Sequence, residues 1–237
     1  MKPPPGGPSG RCVLIVAAHP DDEILGCGGI AARHAAAGDR VAALILAEGA
    51  TARRPRRDGA SDSTEIEALR DAARAAAKIL GTEPPQFAGL PDNRMDSLAL
   101  LDIVKRVEET VERLAPGLVY THHGGDLNVD HRLTHQAVVT ACRPLPDAPV
   151  RAIYTFETAS STEWGTAGTD AGFRPTRFVD IGDFLDSKLR ALDCYEAEIR
   201  PFPHARSREA VEVRARVRGA EAGLAAAEAF EIVREIV

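Results

Sequence analysis

Short apolar stretches alternate along the chain with longer stretches in which apolar residues recur at helical spacing. The short stretches predict strands at residues 11–18, 41–46, 84–90, 118–121, 152–156 and 178–181. The longer stretches predict a helix that ends at Gly38 and further helices at residues 64–80, 98–114, 130–142, 184–198, 207–218 and 224–236. Strands and helices in alternation are typical of a parallel sheet with right-handed crossovers. The pattern therefore predicts an α/β fold with a doubly wound, mostly parallel sheet flanked by helices.

Polar side chains follow two of these strands at the point where each strand ends. The first strand runs directly into His19-Pro20-Asp21-Asp22-Glu23, and the fourth strand runs into a second polar turn at residues 122–135, which opens a helix. Ligands of open α/β sheets bind outside the carboxyl ends of the strands. We therefore expect both turns to lie at the same functional edge of the sheet.

The residue types in these turns are those of a metal site. His19 and Asp22 are three positions apart, and His131 comes from the second turn. Two histidines and one carboxylate, with a fourth position open to water, form a catalytic zinc set. Adjacent carboxylates repel each other unless a cation joins them. Asp21 is left over beside the ligands and is the expected general base for a metal-bound water.

A simpler interpretation has Asp21 or Asp22 capping the helix that follows, with His19 as a structural or surface group. The occurrence of two histidine–acid turns, each after an apolar strand and before a helix, favours the metal site.

Composition narrows the class of protein further. The chain has 237 residues, a net charge of -6 and 44% hydrophobic residues, which argues mildly against general nucleic-acid binding. The four cysteines form no C-x-x-C pair, so a disulfide framework is not expected. No apolar run reaches the roughly 18 residues of a membrane span. We expect a disordered tail at residues 1–10, one domain at residues 11–237, and a cytoplasmic location without a membrane or nucleic-acid partner.

Two motifs together resemble the LmbE-like, or PIG-L, de-N-acetylase family: residues 18–23 (Ala-His-Pro-Asp-Asp-Glu) and residues 128–131 (Asn-Val-Asp-His). Weaker similarity covers residues 90–96, 156–164, 203–207 and 227–230. The resemblance implies a Rossmann-like fold of LmbE type. It also implies a zinc-dependent hydrolase, with one zinc ion per chain, that removes the N-acetyl group from an N-acetylglucosamine-type sugar and releases acetate.

Carried over by position, the resemblance makes His19, Asp22 and His131 the zinc ligands and Asp21 the general base. Many members have a histidine, thought to stabilise the oxyanion, where this chain has Asn128. An amide can donate a hydrogen bond to an oxyanion but cannot titrate. His123 or His204 is therefore an alternative for this role.

Substrate contacts are assigned to Asp92, Arg94, Trp164 and Asp130. Asp130 is also a candidate for holding a metal ligand. The Arg53–Arg57 loop binds an anionic substrate or is simply solvated, and Glu23 has no assigned role. The resemblance further implies a homo-oligomer, a trimer or hexamer, in which a neighbouring subunit completes the pocket.

Three other functions remain open at this point. The same site could hydrolyse another amide, on a natural-product or thiol-pathway intermediate. The chain could be a nucleotide-binding α/β protein, although it lacks the G-x-G-x-x-G fingerprint. It could also bind a metal without turnover, although Asp21 is needed only for chemistry.

Overall fold

A computed structural model describes residues 10–50, 59–165 and 172–237, apart from the side chains of residues 59–62. Most of the predicted N-terminal tail and the Arg53–Arg57 loop lie outside these ranges. Within them, the strands are β1 (Cys12–Ala17), β2 (Arg40–Ala47), β3 (Gln86–Leu90), β4 (Leu118–His122), β5 (Ala152–Phe156), β6 (Arg177–Asp180) and β7 (Ala227–Glu235). The α-helices are α1 (Asp22–Ala36), α2 (Gly59–Leu80), α3 (Leu100–Leu114), α4 (Val129–Ala141), α5 (Leu185–Asp193) and α6 (Arg208–Glu221).

The described strands form one sheet in the order β3-β2-β1-β4-β5-β7-β6. Strands β1 to β5 are mutually parallel, and β7 is antiparallel to both of its neighbours. The prediction of a mostly parallel sheet flanked by helices is confirmed. The chain leaves β1 toward β2 and β3, then returns to place β4 on the other side of β1. The two polar turns therefore leave adjacent strands at the point where the strand order reverses, which is where open α/β sheets bind ligands.

Two apolar layers cover the sheet, one on each face. In β1, Val13 and Ile15 pack on the face covered by α1, α2, α5 and α6, whereas Leu14 and Val16 pack on the face covered by α3 and α4. Every one of these side chains is buried. A strand buried on both faces has to be apolar throughout, which explains the continuous apolar run in the sequence.

The prediction of a helix at residues 224–236 is wrong, because Ala227–Glu235 forms strand β7. The alanines and glutamates of this segment favour a helix when considered alone. In the fold the segment lies between β5 and β6 and pairs with both of them, and pairing on two sides outweighs intrinsic preference. The predicted helix at residues 184–198 is also shorter, since α5 ends at Asp193.

Two glycines within α1 set how closely this helix lies on its neighbours. A Cβ atom on Gly26 would lie 2.2 Å from the ring of Phe156, and one on Gly29 would lie 2.7 Å from Ile181. Only a hydrogen atom fits at either place. This close packing fixes the position of α1, whose first residue is Asp22.

None of the helices in the described ranges is both long and apolar enough to cross a membrane.

Candidate active site

The two polar turns meet above the carboxyl ends of β1 and β4. The first turn is tight: Asp21 has a φ of 103° and starts α1. A non-glycine residue in this region is strained and is kept there only by its surroundings. The second turn starts α4 through Asn128, whose side chain accepts a hydrogen bond from the Asp130 N–H.

Three side chains converge between these turns: His19, Asp22 and His131, all of them buried. The Nδ1 atom of His19 lies 3.2 Å from Oδ2 of Asp22 and 3.3 Å from Nε2 of His131. The third side of the triangle, from His131 Nε2 to Asp22 Oδ2, is 3.2 Å. Ligand atoms about 2.0 Å from a tetrahedral zinc ion lie roughly 3.3 Å apart. The three atoms are thus spaced as three ligands of one small metal ion.

The charges around this triangle also call for a cation. Burial disfavours a charged His19, but the hydrogen bonds that its ring donates to Asp130 and Asp22 outweigh burial and raise the pKa of His19 to about 10. Burial would raise the pKa of Asp22, but the charge of His131 and its hydrogen bond lower that pKa well below its usual range. Among the described residues, no group bonds the buried Oδ1 of Asp22. The donor set, the spacing and this unpartnered oxygen fit a divalent metal.

His19 is held from behind by two more carboxylates. Its Nε2 atom lies 3.1 Å from Oδ2 of Asp130 and 3.3 Å from Oδ1 of Asp92. Asp130 also accepts hydrogen bonds from the backbone N–H groups of Asn93 and Met95. A second metal set could be drawn from His19, Asp92 and Asp130. When Nδ1 of His19 faces a metal, however, its Nε2 carries the proton, and the two carboxylates are then its hydrogen-bond acceptors.

His131 has an equivalent support in Asp126, which the sequence reasoning missed. The Nδ1 atom of His131 lies 3.1 Å from Oδ1 of Asp126, and this bond leaves Nε2 free to face a metal. Asp126 also accepts hydrogen bonds from Ser161, from Thr162 at 2.5 Å and from the Asn128 N–H at 2.8 Å. Burial opposes the charge, but the His131 bond lowers the pKa of Asp126 below its usual range. A carboxylate in the same turn as a ligand histidine was the available signal.

His122 is a second residue that the sequence reasoning left unassigned. Its ring stacks on that of His131 with centroids 3.9 Å apart. Its Nε2 atom accepts the Ala18 N–H at 2.9 Å, so its proton lies on Nδ1, 3.2 Å from the Thr158 hydroxyl. Burial lowers the pKa of His122 well below its usual value. A neutral His122 therefore supports the ring of His131 from one side and joins β1 to β4.

Asp21 lies beside the triangle and is almost completely buried. Its Oδ2 atom accepts a hydrogen bond of 2.8 Å from Nη1 of Arg206. Burial raises the pKa of Asp21 well above its usual value, although the charge of Arg206 opposes this shift. Glu23 now has a role: its carboxylate accepts the Asp21 N–H at 3.1 Å and the hydroxyl of Tyr195. Glu23 thereby holds the strained backbone of Asp21.

The three candidates for the oxyanion role each have other contacts. Asn128 donates its amide to Asn93 Oδ1 at 2.8 Å, in addition to capping α4. His123 points to Glu231 of β7, with its Nδ1 atom 2.7 Å from the carboxylate. The Nδ1 atom of His204 accepts the Arg206 N–H at 3.0 Å. The rings of His204 and Trp164 are nearly perpendicular, with their centroids 6.2 Å apart.

Two of the four residues assigned to substrate contact are buried below His19, namely Asp92 and Asp130. Arg94 is exposed in the turn that follows β3. Trp164 is 54% exposed. Arg94 and Trp164 are therefore the two that reach the surface.

A doubly wound sheet with a buried histidine–carboxylate cluster at its switch point, and a further buried carboxylate beside that cluster, is typical of hydrolases with an α/β fold. Comparison with known families makes this specific. The family model described as PIG-L, GlcNAc-PI de-N-acetylase, matches residues 14–142. The chain belongs to the PIG-L family, also called LmbE-like.

Individual relatives agree with this assignment. The chain is 33% identical over 186 residues to the uncharacterized deacetylase YaiS of Escherichia coli K12, which covers 76% of this chain and 88% of that protein. Among solved structures, it resembles the N,N'-diacetylchitobiose deacetylase of Pyrococcus horikoshii, with a TM-score of 0.75, 19% identity, and coverage of 94% of this chain and 84% of that one. Family membership supports a deacetylase, and thus a hydrolase of N-acetyl amides.

A further similar solved structure is that of a protein with a different activity. It is the 4-carboxy-2-hydroxymuconate hydratase GalB of Pseudomonas putida KT2440. The similarity has a TM-score of 0.78 and 25% identity, and covers 96% of this chain and 98% of that one.

Proposed function

We propose that this protein is a zinc-dependent hydrolase that removes the N-acetyl group from an N-acetylglucosamine-type sugar or glycoconjugate. The observation that carries the proposal is the triangle of His19, Asp22 and His131, with the buried carboxylate of Asp21 beside it. The PIG-L family and its deacetylase relatives support the same reaction.

His19, Asp22 and His131 would hold the metal. A zinc ion held there would supply Lewis-acid chemistry: it would polarise an amide carbonyl and lower the pKa of a water molecule to about 7. The protein keeps these ligands in place through the carboxylates behind them. Asp126 orients His131, and Asp130 orients His19. Because both supporting acids are buried, the ligand rings have little freedom to turn away.

Asp21 acts as the general base and then as the general acid. Its Oδ1 atom, which no described group bonds, accepts the proton of the attacking water. The same oxygen can return that proton to the nitrogen of the leaving amine. Burial raises the pKa of this carboxyl group and so brings it closer to neutral pH. Neither taking up a proton nor releasing it is then strongly unfavourable, which suits both transfers.

His204 is the best placed of the three candidates to donate a hydrogen bond to the oxyanion. Its Nδ1 atom is occupied as an acceptor, so its proton lies on Nε2 and can be donated. The amide of Asn128 is already bound to Asn93, and His123 is directed to Glu231. Donors aimed at developing negative charge contribute strongly to acyl transfer.

The exposed ring of Trp164 beside His204 offers a flat apolar surface on which a sugar ring can stack. Arg94, which is exposed in the turn that follows β3, is the polar candidate for contact with the substrate. Asp92 and Asp130 act on the substrate only through His19, since both are buried beneath it.

A panel of N-acetylated sugars, read by released acetate and by free amine, tests the proposal. The purified protein should contain about one zinc per chain. Asp21→Asn should retain the metal and lose hydrolysis. Full activity of Asp21→Asn would refute the base assignment, and failure of the wild type to release acetate from any amide would refute the reaction class.

The similarity to the hydratase favours a second candidate, the addition of water to a carbon–carbon double bond of an unsaturated acid. A metal-activated water and a nearby base serve both reactions. Loss of dienoate absorbance without release of acetate would identify the hydratase, and release of acetate would identify the deacetylase.

A further inference from the structure

The two oxygens of the Asp21 carboxylate have different environments. Oδ2 accepts the hydrogen bond of 2.8 Å from Arg206. Oδ1 is buried and has no partner among the described groups. A carboxylate with both oxygens free could turn about its Cβ–Cγ bond and present either one. The contact with Arg206 removes this freedom and leaves one oxygen for proton transfer.

Arg206 is itself fixed by several contacts. Its Nε atom donates to the Ser160 hydroxyl at 2.8 Å, and its Nη1 lies 3.7 Å from the Glu198 carboxylate. Its backbone N–H is bound to His204. Only 20% of the side chain is exposed. A guanidinium held along two of its edges has a defined plane, so it can define the plane of the carboxylate that it contacts.

Ser160 is held in turn by its own loop. It has a φ of 64°, and its N–H donates to Glu163 at 2.8 Å. The next residue, Ser161, bonds Asp126, which supports His131. Adjacent serines therefore support the two halves of the site. Ser160 reaches the base through Arg206, and Ser161 reaches a metal ligand through Asp126.

We propose that Arg206, oriented by Ser160, is a positioning residue that directs the Oδ1 atom of Asp21 toward the catalytic water. The inference rests on the proposed function, in which Asp21 is the base. Arg206 touches neither the substrate nor the metal in this role. It sets the rotamer of Asp21 and has no part in the triangle of ligands, so its loss affects turnover more than substrate binding or metal content.

The test compares Arg206→Gln, Arg206→Lys and Arg206→Ala with the wild type, for the reaction that the wild type catalyses. The matched control is Arg208→Gln, because Arg208 lies two residues away and pairs only with the exposed Asp193 at 3.3 Å among the described residues. Zinc content, Tm, kcat and KM are measured for each. We expect Arg206→Gln to lower kcat on the order of 10- to 100-fold, as for a misplaced reacting group, with KM and zinc content close to those of Arg208→Gln.

Two further readouts separate positioning from a purely structural role. Arg206→Lys should recover only part of the lost kcat, because one ammonium cannot reproduce the two-edged contact with Ser160 and Asp21. Added guanidinium, below denaturing concentration, should raise the kcat of Arg206→Ala. An unchanged kcat in Arg206→Gln would overturn the inference. So would a loss of kcat that follows loss of zinc or Tm and that guanidinium does not rescue.

Ser160→Ala keeps the test decisive if the Arg206 variants do not fold. It removes only the Nε contact, and we expect a severalfold lower kcat with unchanged zinc content. An unchanged kcat in this variant would overturn the inference. A wild type that is inactive on every substrate would instead refute the proposed function, so the two failures are distinguishable.

Discussion

Replacement of Asp126 tests whether the carboxylate behind His131 sets the affinity for the metal. In Asp126→Asn, an amide oxygen in the place of Oδ1 can still accept from Ser161, Asn128 and His131, which all bond that oxygen. The change therefore removes the negative charge and keeps the three bonds to Oδ1, whereas the Thr162 hydroxyl, which donates to Oδ2, has to turn and accept from the new amide. A hydrogen bond to a charged group is worth about 1 kcal/mol more than a neutral one. Zinc affinity should therefore fall roughly fivefold, since a tenfold change corresponds to about 1.4 kcal/mol.

Asp126→Ala removes the geometry as well as the charge. Its loss of zinc affinity should approach the 100-fold upper end of the usual range of about 10- to 100-fold for residues behind a metal ligand. Competition against a chromophoric chelator at constant pH measures the Kd for zinc, and a thermal melt of the metal-free protein reports the fold.

Asp39→Asn provides the matched control for this experiment. Asp39 bonds the Nδ1 atom of His34 at 2.7 Å, so the pair has the same chemistry away from the metal set. Its replacement should leave the Kd for zinc unchanged. An unaltered Kd in a folded Asp126→Ala, or an equal loss in Asp39→Asn, would refute the role given to Asp126.

Other predictions concern the metal ligand His131, the packing of α1 against its neighbours and the dependence of stability on pH. His131→Ala should lose zinc by elemental analysis, and unchanged metal content would contradict its assignment as a ligand. Gly26→Ala should lower the free energy of unfolding by about 1–3 kcal/mol through overlap with Phe156, whereas Gly117→Ala, which meets open space, should leave urea denaturation unchanged. Burial would raise the pKa of Glu157, but two arginines of α6 lower it. Its stabilising effect is thus complete above its usual pKa of 4.5 and is lost as the pH falls through the lower folded value, so Glu157→Gln should flatten the acid side of a stability–pH profile.

The sequence alone predicts those residues of the site that lie close together along the chain or directly after a strand. His19 and Asp22 share one turn, and the strand before them identifies the edge of the sheet to which they belong. Their convergence with His131 follows from the general rule that parallel strands end at one edge. These residues were found because both the residue types and the elements around them have a pattern.

The residues that were missed depend on tertiary contacts. Arg206 lies 185 positions from Asp21, in a segment without periodicity. The weak family similarity of residues 203–207 marks the segment but does not indicate that Arg206 contacts Asp21. Strand β7 was misassigned for a related reason, since its pairing partners lie far away along the chain. Helical preference is a local property, whereas strand formation in the interior of a sheet is decided by the neighbours.

The position of β7 between β5 and β6 has a consequence for how the chain folds during its synthesis. A ribosome releases β6 before β7, and β6 has no partner in the described sheet other than β7. Until β7 emerges, β5 presents an unpaired edge of the kind that associates with other chains. Contacts that join distant segments also form slowly. The stage of biosynthesis most exposed to aggregation is therefore the interval before the final strand enters the sheet, and overproduction at low temperature should improve recovery of the soluble protein.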